Sequence, residues 1–120
     1  MPIIRIEALA ALPPQLLAET AQAAAAALGT DPSRVWVAYR RLDEGHFYEG
    51  GQVRGAADAQ AVAPLVTLSL RVGRPEAALR AALGAIAKAV GRGLGVDPAL
   101  VFVACHEIPE GRVHTGGAVL

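Results

Sequence analysis

The chain begins Met-Pro-Ile-Ile-Arg-Ile, and its second residue is the first place to look for chemistry. An internal proline is a non-basic amide. Pro2, once the methionine ahead of it is trimmed, is instead a secondary amine. An α-amino group has a reference pKa of about 7.7–8.0, and apolar surroundings lower it by penalising the charged form. A neutral amine poised near 7 is a competent general base, contributing about 10²–10⁴-fold in rate. The same proline also suits the first residue of a strand. Position alone leaves both roles open.

A second chemical signal is the pair Arg71 and Arg74, in Leu70-Arg71-Val72-Gly73-Arg74-Pro75. This segment reads as the end of a strand turning into a helix. Two guanidinium groups there can converge on one anion, and the helix N-terminus adds positive potential. Arginine offers carboxylate a planar fork, each charge-assisted bond contributing roughly 1.5–3 kcal/mol. A solvated pair is the commoner fate of two surface arginines. Asymmetry favours the clamp, because the other half of the chain has Leu9 near the Arg71 position and no arginine in that turn.

The remaining polar and aromatic residues carry weaker signals. In Gly45-His46-Phe47-Tyr48-Glu49-Gly50-Gly51 the glycines suit a tight hairpin. Phe47 and Trp36 are candidates for a pocket wall, and equally for packing. His46 reads as a hairpin surface residue, Cys105 and His106 as structural, and Tyr39 and Tyr48 receive no role. A single cysteine excludes an intrachain disulfide, and three scattered histidines lack the spacing of a zinc site. The sequence calls for no metal and no cofactor.

The elements that must position these residues emerge when the chain is laid on itself. Leu28 to Ala38 matches Leu94 to Ala104 at an offset of 66, and 12 of the 26 positions from Leu28 to Val53 are identical to their partners. The chain therefore carries one unit twice: repeat one over 2–53, a linker over 54–63, and repeat two over 64–120. Each repeat reads as strand, helix, strand and short hairpin. The first strands start at Pro2 and Pro64, with Ile4 and Ile6, or Val66, Leu68 and Leu70, on one face. The helices start near Pro14 and Pro75 and stop at Gly29 and Gly95. Their apolar stripes read Leu17, Ala21, Ala24, Leu28 and Leu79, Leu83, Ile86, Val90, Leu94. The second strands are Val35 to Leu42 and Val101 to Ile108. Crossover connections in one sheet are parallel and right-handed. The expectation is an α+β fold: a four-stranded mixed sheet with both helices on one face.

Composition bounds the setting. A chain of 120 residues is one domain's worth, and its hydrophobic fraction of 53% is concentrated in Ala and Val. Small residues make thin cores, so the uncovered sheet face is expected to be closed by other subunits. Eleven basic and eleven acidic residues cancel, leaving no footprint for nucleic acid or an anionic membrane. No segment reads as a signal peptide or membrane span. A soluble cytoplasmic protein is expected.

Three sets of residues then resemble the tautomerase superfamily, typified by 4-oxalocrotonate tautomerase. They are Pro2 to Ile6, Val35-Trp36-Val37, and Gly-His-Phe-x-x-Gly-Gly at Gly45 to Gly51. The duplicated unit is similar to that family's βαβ building block, so the resemblance covers nearly the whole chain. It implies a homotrimer, with the amino-terminal proline as base or acid. It also implies Arg74 as the substrate-carboxylate arginine, and the Arg71/Arg74 pair is similar to that of the cis-3-chloroacrylic acid dehalogenase branch. The chain departs from the family at the mid-strand arginine, which aligns with Trp36 and Phe102. The dehalogenase branch's tyrosine and glutamate fall at Ala104 and roughly Thr115, and its helix histidine in Ala24 to Ala26.

Those departures remove water-activating groups and leave simple proton shuttling. The implied reaction has Arg71 and Arg74 holding the carboxylate of a small enol acid. Neutral Pro2 removes the enol proton and prolinium returns it to carbon, with Phe47 and Trp36 walling the pocket. Pro64, inside the chain, cannot duplicate the site. Two other readings stand beside this one: a cofactor-independent dehalogenase, hydratase or decarboxylase on a three-carbon acid, and a non-catalytic ligand-binding module. The order βαββαβ is also that of ferredoxin-like domains.

Overall fold

A computed structural model describes residues 1–120. The long strands are β1 (Ile3–Ala8), β2 (Trp36–Arg41), β5 (Leu65–Arg71) and β6 (Phe102–Ile108). The helices are α1 (Leu16–Leu28) and α2 (Glu76–Leu94). Short strands β3 (Phe47–Glu49) with β4 (Gln52–Arg54), and β7 (His114–Thr115) with β8 (Ala118–Val119), form two hairpins. The long strands make one sheet in the order β2-β1-β5-β6. Its outer pairs are parallel and its central pair, β1 with β5, is antiparallel. This is the expected four-stranded mixed sheet.

Alternation drives the layering. Ile4, Ile6 and Ala8 of β1 and Val66, Leu68 and Leu70 of β5 are buried on one face, under both helices. The helical stripe of α1 differs from its sequence reading. Its buried residues are Leu16, Thr20, Ala24, Ala25 and Leu28, whereas Leu17 and Ala21 are only half-buried. The row i, i+4 that faces the core contains a threonine, which breaks the hydrophobic pattern that sequence reading follows. In α2 the core takes Ala82, Ile86, Val90, Gly91 and Leu94, with Leu79 and Leu83 at the flanks. The small Ala82 and Gly91 are invisible to a search for large apolar residues. At Gly91 a Cβ would come within 2.8 Å of both the Pro98 Cα and the Val96 carbonyl, so the turn after α2 can close only on glycine.

Each helix ends as expected on a left-handed glycine, Gly29 at φ 68° and Gly95 at φ 70°. A 3₁₀ turn follows each: Pro32–Arg34 and Pro98–Leu100. Asp31 and Asp97 cap these turns by accepting from the Ser33 and Ala99 amides at 2.8 and 2.9 Å. The expected linker, 54–63, is structured. It holds a third 3₁₀ turn, Ala56–Asp58, and Arg54 pairs with Glu49 at 3.5 Å and Asp58 at 3.6 Å. Beyond it, Ala59 and Val62 pack with Leu9 into a small second apolar cluster.

The other sheet face carries no helix. Strand register lays across it the rows Trp36, Ile3, Ser69, His106; Ala38, Arg5, Thr67, Ala104; and Arg40, Glu7, Leu65, Phe102. Two large apolar side chains on this face stand in the open, Trp36 at 49% and Phe102 at 60% exposure. No helix is long and apolar enough to cross a membrane.

Candidate active site

Pro2 is fully buried at the start of β1, where its carbonyl accepts from the Trp36 amide at 3.0 Å; Met1 projects outward. Two clefts meet at Met1. One, of about 270 Å³, is lined by Pro2, Thr30, Arg34, Arg74, Thr115 and Leu120. The other, of about 130 Å³, is lined by Ile3, Trp36, Ser69, Leu70, Arg71, Ile108, Val113, His114 and Thr115. Neither wall contains an aspartate or glutamate.

Sheet topology brings the arginines here. Because β5 runs antiparallel to β1, its C-terminal end arrives where β1 begins. Arg71 is the last residue of β5, in register with Ile108 of β6. The next amide, of Val72, donates to the Ile108 carbonyl at 3.1 Å. Gly73 then adopts φ 123°, a conformation open essentially to glycine, before Arg74 and the start of α2. Repeat two thus delivers Arg71 and Arg74 to the amino terminus of repeat one.

Electrostatically the site gathers three arginines with no aspartate or glutamate side chain in its walls. The Nε of Arg71 is buried and has no hydrogen-bond partner. Arg34, Arg71 and Arg74 form no ion pair, whereas Arg54 and Arg80 are each tied to carboxylates. The amino terminus responds. Burial first, then Arg74, Arg71 and Arg34, push its pKa below the ordinary α-amino value.

Of the residues singled out from the sequence, Pro2, Arg71, Arg74 and Trp36 come together. Phe47 does not. Its hairpin follows β2, which runs parallel to β1 and so carries Phe47 to the far end, against Leu9, Ala59 and Val62. Seven residue steps of extended chain take Pro2 to Leu9, about 23 Å. Within one chain, Phe47 therefore lies away from these clefts. Arg34, Thr30, His114 and Thr115 line the clefts without having been singled out. A usable signal for Arg34 was its mismatch with Leu100 in the otherwise well-matched repeats.

Other reactive groups lie outside the site. The Tyr39 hydroxyl donates to the Ala10 carbonyl at 2.5 Å, and burial pushes its pKa up. Burial, then Glu107, raises the Cys105 thiol as well, which keeps it protonated near neutrality. His46 and Tyr48 are exposed on their hairpin and His106 on the open sheet face. A larger cleft of about 440 Å³ crosses that face between Arg5, Glu7 and Arg40, away from the amine. No three His, Cys, Asp or Glu side chains gather as a metal site.

Comparison with known proteins finds no matching family model and no matching curated protein. Solved structures do match. A fused 4-OT, described as a wild-type asymmetric trimer, superposes with a TM-score of 0.85 at 18% identity, over 98% of this chain and 94% of that one. Pt0534, described as inactivated by 2-oxo-3-pentynoate, gives 0.84 at 21% identity over the same shares. N1, of the cis-3-chloroacrylic acid dehalogenase family, gives 0.77 at 20% over 98% of this chain and 82% of its own. The chain shares the fold of these proteins, the fold that the sequence motifs implied, and at these identities the fold is what is shared.

Proposed function

We propose that this chain is a tautomerase that interconverts enol and keto forms of a small 2-oxo acid, with Pro2 as its proton carrier. The observation that carries this reading is the amino terminus itself. It sits at the junction of two clefts, beside three arginines that have no carboxylate partner, and its pKa is pushed down. Removal of Met1 moves the free amine onto the buried Pro2 ring. There the apolar ring sits in the same cleft beside Arg34 and Arg74, surroundings that favour the neutral secondary amine.

Arg71 and Arg74 then hold the substrate carboxylate, and their charge stabilises the dienolate that forms. The Pro2 nitrogen takes the enol hydroxyl proton and becomes prolinium. It returns the proton to carbon, and the amine is regenerated. No proton or electron leaves the cycle, so a single group suffices. Trp36 and Ile108 supply the apolar wall. The functional unit in this reading is a homotrimer with three sites, supported by the trimeric description of the fused 4-OT and by the uncovered face bearing Trp36 and Phe102.

The test measures ketonisation of phenylenolpyruvate and 2-hydroxymuconate by the native protein and by Pro2→Ala, with removal of Met1 checked by mass. Loss of about 10²-fold or more in the variant is expected. A correctly trimmed native protein with no rate above buffer overturns the reading, as does a Pro2→Ala variant with full rate. The electrophile 2-oxo-3-pentynoate gives an independent readout. It should add one equivalent at Pro2, located by peptide mapping.

A further inference from the structure

The helix-free face of the sheet holds the largest cleft of the chain, and the chemistry at Pro2 makes no use of it. About 440 Å³ lies between Arg5, Glu7, Ala38, Arg40, Leu65 and Thr67. Strand register accounts for the room. Ala38 and Thr67 stand on either side of Arg5, and Arg40 and Leu65 on either side of Glu7. Short side chains leave the hollow, and the two arginines rim it.

The charge of this face does not balance. Its three rows hold two arginines against one glutamate, a net positive charge of one per chain with His106 neutral. Neither Arg5 nor Arg40 reaches a carboxylate, Glu7 included. The fold does not require these charges. The second repeat builds the same strands with Thr67 in place of Arg5, Ser69 in place of Glu7 and His106 in place of Arg40. Both arginines are exposed in the single chain, where water screens them. Assembly changes that. Trp36 and Phe102 stand at diagonal corners of the same face, so a copy that covers both aromatics also covers the cleft between them. Every copy brings the same excess. Like charges withdrawn from water are costly unless an anion joins them.

We propose that this cleft binds a small multivalent oxyanion such as phosphate, held by Arg5 and Arg40, and that the bound anion stabilises the assembled protein. This rests on the homotrimer proposed above and is independent of the reaction at Pro2. Guanidinium forks match the oxygens of such an anion, and the Thr67 hydroxyl adds a donor. An anion that binds only where copies meet favours assembly by mass action. The test compares sodium phosphate with sodium chloride at matched ionic strength and pH. Sedimentation reads assembly, and the urea midpoint stays readable where dissociation lies below the working concentration.

In the native protein, phosphate should lower the concentration at which the assembly dissociates by about tenfold or more, and raise the urea midpoint. Arg5→Gln and Arg40→Gln should each abolish the difference between the salts. In chloride each should assemble more tightly than the native chain, because repulsion is relieved. Glu7→Gln raises the excess charge and should enlarge the phosphate effect. Phosphate also suits the arginines beside Pro2, so Arg71→Ala combined with Arg74→Ala should keep the effect in full. A native assembly that responds equally to both salts overturns the anion site and leaves the trimer standing. So does a response lost with Arg71 and Arg74, or an Arg40→Gln variant that assembles more weakly in chloride, since Glu7 would then already neutralise Arg40. A chain that sediments alone in both salts overturns site and trimer together. Turnover that depends on Pro2 would survive every one of these results.

Discussion

The chemistry of a single residue is decided here by its neighbours. Pro2 gains its proposed role from its burial and from the three arginines whose charge lowers the pKa of the amino terminus at Met1. The sign of the pH dependence follows. A base works deprotonated, so kcat/KM should rise with pH through the lowered amine pKa and level off, with its midpoint below about 7.7–8.0. Replacing Arg74 by Ala should move that midpoint up, because a positive neighbour is lost, and Arg71→Ala should move it less. The ranking carries over to Pro2 the order in which Arg74 and Arg71 lower the pKa of the amino terminus at Met1. Burial is the largest cause, so neither variant should restore the full ordinary value. A pH–rate profile on each variant checks the ranking, and a downward shift would contradict it.

At the scale of the element, two details invite substitution. Gly73 turns the chain between Arg71 and Arg74 at φ 123°. No atom lies within 4 Å of a Cβ built there, so Gly73→Ala meets strain without a clash. A cost of about 1–3 kcal/mol is expected, or a shift of the turn that releases it. Either result should appear as a raised KM at the clamp, larger than the effect of Gly84→Ala in the exposed middle of α2, where φ is ordinary. Thr20 is the second detail. It is fully buried between α1 and the core, and its hydroxyl has no partner. Thr20→Val keeps the shape and removes the unmet group, so denaturant unfolding should show a gain of about 1 kcal/mol. Destabilisation would mean that the hydroxyl is satisfied after all.

The whole molecule has a covered face and a bare one. Sixteen core residues gather between the helices and the sheet, whereas Trp36 and Phe102 stand on the helix-free face at 49% and 60% exposure. A charge placed at Phe102 costs little in an isolated chain and much in a packed interface. The native protein should therefore sediment at three times the 12.3 kDa chain mass, and Phe102→Asp should shift it toward the single-chain mass while remaining folded by circular dichroism. A native protein that sediments as one chain would contradict the proposed trimer.

The sequence by itself determined the frame. Duplication fixed the number and order of elements, because identical residues at one offset fold into identical local structure. Alternation in β1 and β5 determined which face is buried, and Gly29 and Gly95 ended the helices through a conformation that other side chains resist. Where a polar or small residue took a core position, at Thr20, Ala82 and Gly91, the pattern misled or fell silent, since packing selects shape as well as polarity. Arg71 and Arg74 were legible because a charged pair at a strand end is a local signal. The composition of the site was not local. Antiparallel pairing of β1 with β5 brought the two arginines of one repeat to the amino terminus of the other, and the parallel run of β2 carried Phe47 away from it. The turn bearing Arg34 reaches the same place across the sheet edge. Such convergence depends on strand direction across the sheet, a property of pairs of segments distant in sequence, and only the tertiary structure decided it.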